Sequence, residues 1–123
     1  MKTILFIEDN LEIRENTAEL LELEGYKVIT ASDGKKGFEQ AKEKKPDVIL
    51  CDIMMPEMNG YEVFEHLRMN AETSGIPFIF ISASAEKSEV QKGLNMGAIG
   101  YIRKPYTEYE LLETIKDCFL REV

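Results

Sequence analysis

Histidine, cysteine and positive charge are scarce in this sequence, and each scarcity narrows what the chain can do. Its one histidine, His66, has no cysteine or second histidine at ligand spacing, so it decorates a helix rather than holding zinc. The two cysteines, Cys51 and Cys118, lie far apart with neither metal nor redox spacing. They read as buried thiols in a reducing compartment. Lys and Arg number 15 against 23 Asp and Glu, a net charge of −8. A chain of that sign repels nucleic acid and anionic lipid, which argues against direct binding to either. Long apolar runs are lacking too. The opening Ile4-Leu5-Phe6-Ile7 is closed at once by Glu8 and Asp9, unlike a secretory leader. The longest later run, Ile76 to Ala85, is well short of the ~18 residues of a membrane helix. The expected location is the cytoplasm.

What is present suits one domain over residues 1–123, with 44% hydrophobic and 31% charged residues and enough bulk for one real core. Five short apolar runs recur: Ile4–Ile7, Val28–Thr30, Val48–Cys51, Phe78–Ile81 and Ile99–Ile102. They are mostly continuous rather than alternating, the pattern of parallel strands covered on both faces. Amphipathic stretches separate them. Ile13, Thr17, Leu20 and Leu21 share a helical face that Gly25 can stop. Asp33 to Lys45 is a weaker second helix ended by Pro46, and Asn59 can cap a third that packs Val63, Phe64 and Leu67. A fourth runs from Glu86 to Met96, packing Val90 and Leu94 and stopping at Gly97. In the fifth, Thr107 and Glu110 form a capping box, with Tyr106 and Leu111 at the staple positions and an inner face of Leu111, Leu112, Ile115, Cys118 and Phe119. The alternation is (βα)₅, a doubly wound α/β fold with a five-stranded parallel sheet.

In such sheets function gathers at the C-terminal ends of the strands. The first strand ends in Glu8 and Asp9 and the third in Asp52. If these strands are neighbours, three carboxylates converge, and their repulsion calls for raised pKa values or a bound cation. Hard oxygen donors favour Mg²⁺. The fourth and fifth strands add Ser82, whose hydroxyl can donate to a phosphoryl oxygen, and Lys104, whose ammonium can neutralise charge on it. Pro105 sets Lys104 at a sharp turn, for which a cis bond is one available geometry.

Four segments carry a resemblance across essentially the whole chain: Phe6-Ile7-Glu8-Asp9-Asn10; Asp52-Ile53-Met54-Met55-Pro56-Glu57-Met58-Asn59-Gly60; Ile81-Ser82-Ala83; and Gly97 through Tyr106, with Lys104-Pro105 near its end. In this order and at these strand ends they resemble the receiver domain of two-component response regulators. The resemblance implies a flavodoxin-like sheet of order 2-1-3-4-5. It implies that Asp52 is the phosphoacceptor, attacking the phosphorus of a phosphohistidine on a histidine kinase or phosphotransfer protein. It further implies an Mg²⁺ held by Asp9, Asp52, the Met54 backbone carbonyl and water, with Glu8 acting through a bound water. Ser82, Lys104 and backbone amides near Met54 and Ala83 would grip the phosphoryl oxygens, and Tyr101 would turn inward as Ser82 moves. The fourth helix, fifth strand and fifth helix would then signal to an output domain or target protein, or to a second copy in a phosphorylation-dependent homodimer. Glu8 stands where Asp is also frequent, Ser82 where Thr is as common and Gly100 where many members have a polar residue; the first two preserve the chemistry.

Two other classes compete. Aspartate-nucleophile phosphatases need a second Asp two residues on as general acid–base, and that position is Met54, so turnover catalysis is not expected. A flavin carrier needs a Ser/Thr/Gly-rich phosphate loop after the first strand, where this chain has Glu8 and Asp9. Met54 and Ser84, two residues past Asp52 and Ser82, flank the approach of a hydrolytic water. Neither carries an acid or amide to orient it, which predicts a comparatively long-lived phosphorylated state.

Overall fold

The continuous apolar runs become a sheet buried on both sides. A computed structural model describes residues 1–83 and 86–121. Five strands, β1 (Thr3–Ile7), β2 (Lys27–Ala31), β3 (Val48–Asp52), β4 (Phe78–Ser82) and β5 (Gly100–Arg103), alternate with helices α1 (Leu11–Leu23), α2 (Gly34–Lys44), α3 (Gly60–Arg68), α4 (Lys87–Met96) and α5 (Glu108–Arg121). All strand pairs are parallel, in the order β2-β1-β3-β4-β5. Every residue of β3 and β4 is buried, which accounts for their lack of polar alternation. Successive side chains enter opposite cores. Leu5, Ile7, Ile49, Cys51, Phe78 and Phe80 pack with Val63, Phe64 and Leu67 of α3. On the other face Ile4, Phe6, Leu50, Ile79 and Ile81 pack with Leu21 of α1 and Leu111, Leu112, Ile115 and Cys118 of α5. Cys51 and Cys118 are therefore free, buried thiols on opposite sides of the sheet.

Local chemistry places the helix ends. Asn10, Asp33 and Asn59 accept from the backbone N–H of Ile13, Lys36 and Glu62, contacts of a kind worth about 1 kcal/mol each. The Asn59–Glu62 and Thr107–Glu110 capping boxes are both reciprocal. Gly25 and Gly97 adopt positive φ after α1 and α4. The second helix ends before Pro46 as expected, with Lys45 as a C-cap at a left-handed φ of 45°.

The fourth helix departs from expectation. Leu94 is 40% exposed and Val90 half-buried, while the one buried residue of α4 is Gly93. A Cβ at Gly93 would lie 2.8 Å from Phe80 Cδ2, so the helix approaches the sheet through its bare backbone, and the inward face is turned away from Leu94. Among the described residues no helix is long and apolar enough to cross a membrane.

Candidate functional site

Strand register brings the chemistry together. Ile7 pairs with Cys51 and Asp52 with Ile81, so the residue after β1, Glu8, emerges beside Asp52, the last residue of β3. Ser82 closes β4 opposite Arg103, and the next backbone N–H, that of Lys104, donates to the Ser82 carbonyl at 2.8 Å. The Lys104–Pro105 bond is cis. Glu8 is wholly buried, and Asp52 and Ser82 are each only 3% exposed, whereas Asp9 lies at the surface.

The Lys104 ammonium bridges the two buried acids, 2.6 Å from Glu8 Oε1 and 3.2 Å from Asp52 Oδ2. Burial pushes the Glu8 carboxyl up to about 7; the Lys104 bond pulls it down and the Asp52 charge raises it further. For Lys104, burial alone would lower the pKa, but its bond to Glu8 and the charge of Asp52 carry it above the ordinary lysine value. Burial, with Asp52 and Glu8 behind it, holds the Cys51 thiol protonated and inert.

Glu8, Asp9 and Asp52 each offer a carboxylate oxygen within 4.8 Å of the others. Three hard anionic donors, one exposed and two buried, fit a divalent cation that keeps part of its water shell. Met54, two residues past Asp52, is 73% exposed, and Ala83 lies at the surface beyond Ser82. Tyr101 does not join the acidic cluster. It is half-buried on β5, opposite Phe80 and beside Gly93 of α4. Ser84 lies outside the described residues.

Three supporting contacts escaped the sequence reading. Arg14 of α1 donates to the carbonyls of Glu8 and Asp9 at 2.8 and 3.4 Å, bracing the acidic loop from its backbone. Thr17 Oγ1 and Tyr106 Oη are 2.7 Å apart, tying the segment after Lys104 to α1. Gly60 donates to the Ile53 carbonyl at 2.9 Å, and a Cβ there would sit 2.6 Å from the Asp52 carbonyl oxygen. A cation five and six residues past the acidic pair was the available signal for the first; nothing local marks the Thr17–Tyr106 pair.

Comparison with known proteins agrees in sequence and in shape. Residues 4–116 match the family model described as the response regulator receiver domain. Protein PilH of Pseudomonas aeruginosa is 36% identical over 94% of this chain and 95% of its own length. The phosphate regulon transcriptional regulatory protein PhoB of Escherichia coli is also 36% identical over 94% of this chain, which spans 50% of PhoB. The chemotaxis protein CheY4 of Vibrio cholerae superposes with a TM-score of 0.90 at 30% identity, over 96% of this chain and 98% of that one.

Proposed function

The chain belongs to the response regulator receiver family, and from that premise we propose that Asp52 is the phosphoacceptor of a Mg²⁺-assisted switch. Family membership makes it a signalling switch rather than a turnover enzyme. The observation that carries the assignment is the Lys104 ammonium held 3.2 Å from Asp52 Oδ2 and 2.6 Å from Glu8 Oε1, beside a third carboxylate.

In the proposed reaction an Asp52 carboxylate oxygen attacks the phosphorus of a phosphohistidine on a histidine kinase or phosphotransfer protein. The phosphorus–nitrogen bond breaks, an acyl phosphate forms, and the departing imidazole takes up a proton. A bound Mg²⁺ would shield the charge shared between carboxylates and phosphoryl oxygens; Asp9, Asp52 and the Met54 carbonyl are its proposed ligands, with Glu8 holding a bound water. Lys104 follows the charge as it moves, exchanging a carboxylate partner for a phosphoryl oxygen. The Ser82 hydroxyl and the amide near Ala83 bind the remaining oxygens. Tyr101, which lies next to Gly93 of α4, would turn inward when Ser82 is drawn toward Asp52.

The same reading takes residues 1–123 as one receiver unit in the cytoplasm, where its free thiols persist. It signals through α4, β5 and α5 to an output domain or target protein, or to a second copy of itself. The test is intact mass after incubation with a small acyl-phosphate donor and Mg²⁺. One alkali-labile phosphoryl group is expected in the wild type and none in Asp52→Asn; an equal adduct in both would overturn the assignment.

A further inference from the structure

Of the five helices, α4 buries the fewest residues. It buries only Gly93. A helix with so little buried apolar surface sits at the low end of local stability, so a few polar contacts decide its position. Two of those contacts come from one residue of α3, Tyr61. Tyr61 Oη donates to Glu89 Oε2 at 2.7 Å, and the Lys92 ammonium lies 4.2 Å from the centre of the Tyr61 ring. The ring also packs 5.2 Å from Phe80, the residue that Gly93 packs against.

Tyr61 is in turn fixed to the acceptor strand. It follows Gly60, whose N–H bonds Ile53 and whose bare Cα rests on the Asp52 carbonyl. A cleft of ≈ 520 Å³, lined by Met54, Tyr61, Ser82, Ala83, Glu89 and Lys92 among others, runs from the acceptor end of β4 to the inner side of α4. Ser82 and Ala83 thus border the same open space as Tyr61 and Glu89.

We propose that Tyr61 is a latch on α4: its bond to Glu89 and its ring beneath Lys92 hold the helix in the unphosphorylated arrangement, so their release favours the activated one. This rests on the reading of Asp52 as the phosphoacceptor. When Ser82 moves toward a phosphoryl group, the chain leading into α4 is pulled, and the latch is the opposing tie. Burial and the Glu89 carboxylate raise the Tyr61 phenol well above its ordinary value, so it stays a hydrogen-bond donor. Latch strength sets the resting ratio of the two states, and with it the apparent affinity for any ligand selective for the activated state.

The experiment measures the dissociation constant of beryllofluoride, a phosphoryl mimic, with Mg²⁺ on wild type, Tyr61→Phe and Glu89→Gln. Either variant should bind the mimic tighter, by about threefold or more, and the double variant no tighter than the better single one. A thermal double-mutant cycle should show Tyr61–Glu89 coupling in the free protein that is lost with beryllofluoride bound, a difference a purely structural bond would not produce. Saturable wild-type binding with unchanged or weaker affinity in the variants, or equal coupling in both states, overturns the latch alone. Absence of binding to the wild type overturns the acceptor reading and the latch with it.

Discussion

The ammonium of Lys104 and the carboxylate of Glu8 meet at 2.6 Å in a pocket where Glu8 has no exposed surface. This pair ties stability to pH. Glu8 is raised from 4.5 to about 7 on folding, so between those values the folded protein holds a proton that the unfolded chain has released. Its contribution therefore falls as pH rises through that window, and the metal-free protein should melt at a lower temperature at pH 8 than at pH 5. Glu8→Gln should flatten this dependence. Lys104, raised above its usual value, contributes stability that is lost only in strong alkali, outside the window. Thermal unfolding at the two pH values checks the sign.

A cation should take over the work of that proton. Mg²⁺ at about ten times its dissociation constant adds about 1.4 kcal/mol of stability by mass action. Unfolding with Mg²⁺ and with chelator should differ in the wild type and little in Asp9→Ala, which removes the exposed carboxylate of the three. Equal shifts in both proteins would contradict the site.

Gly60 tests the backbone beneath Asp52. Gly60→Ala puts a methyl carbon 2.6 Å from the Asp52 carbonyl oxygen, against backbone that cannot swing aside as a side chain can. Overpacking of this kind costs about 1–3 kcal/mol. The variant should lose stability and accept phosphoryl groups more slowly, measured by melting temperature and by the rate of adduct formation.

Lifetime should respond to Met54. Its 73% exposed, apolar side chain cannot hydrogen-bond a water placed in line with the Asp52–phosphorus bond. An amide there can, and each tenfold in rate is about 1.4 kcal/mol of barrier. Met54→Asn should speed autodephosphorylation severalfold at fixed Mg²⁺, and an unchanged or slower decay would retire the idea.

Much of this was written in short-range patterns. Continuous apolar runs marked the strands because both faces of β3 and β4 are covered, and Asn59, Thr107 and Gly97 marked helix ends through chemistry within one turn. Glu8, Asp9, Asp52, Ser82 and Lys104 were legible because each sits at or just past a strand end, where the topology gathers them. Contacts joining distant segments were not. Tyr61 and Glu89 lie 28 residues apart and Thr17 and Tyr106 lie 89 apart, with nothing local to announce either bond. The inward face of α4 was misread for a related reason. Hydrophobic periodicity favours Val90 and Leu94, whereas Gly93, without a side chain, packs closest to the sheet.

The most direct measurement locates the phosphoryl group. Borohydride reduction of an acyl phosphate converts the carboxyl to an alcohol, so the phosphorylated protein can be reduced, digested and sequenced by mass. Homoserine is expected at position 52 and nowhere else, and it should be absent from unphosphorylated protein treated in the same way. Reduction at Glu8 or Asp9 instead, or no reduced residue despite a phosphoryl mass, would contradict the account.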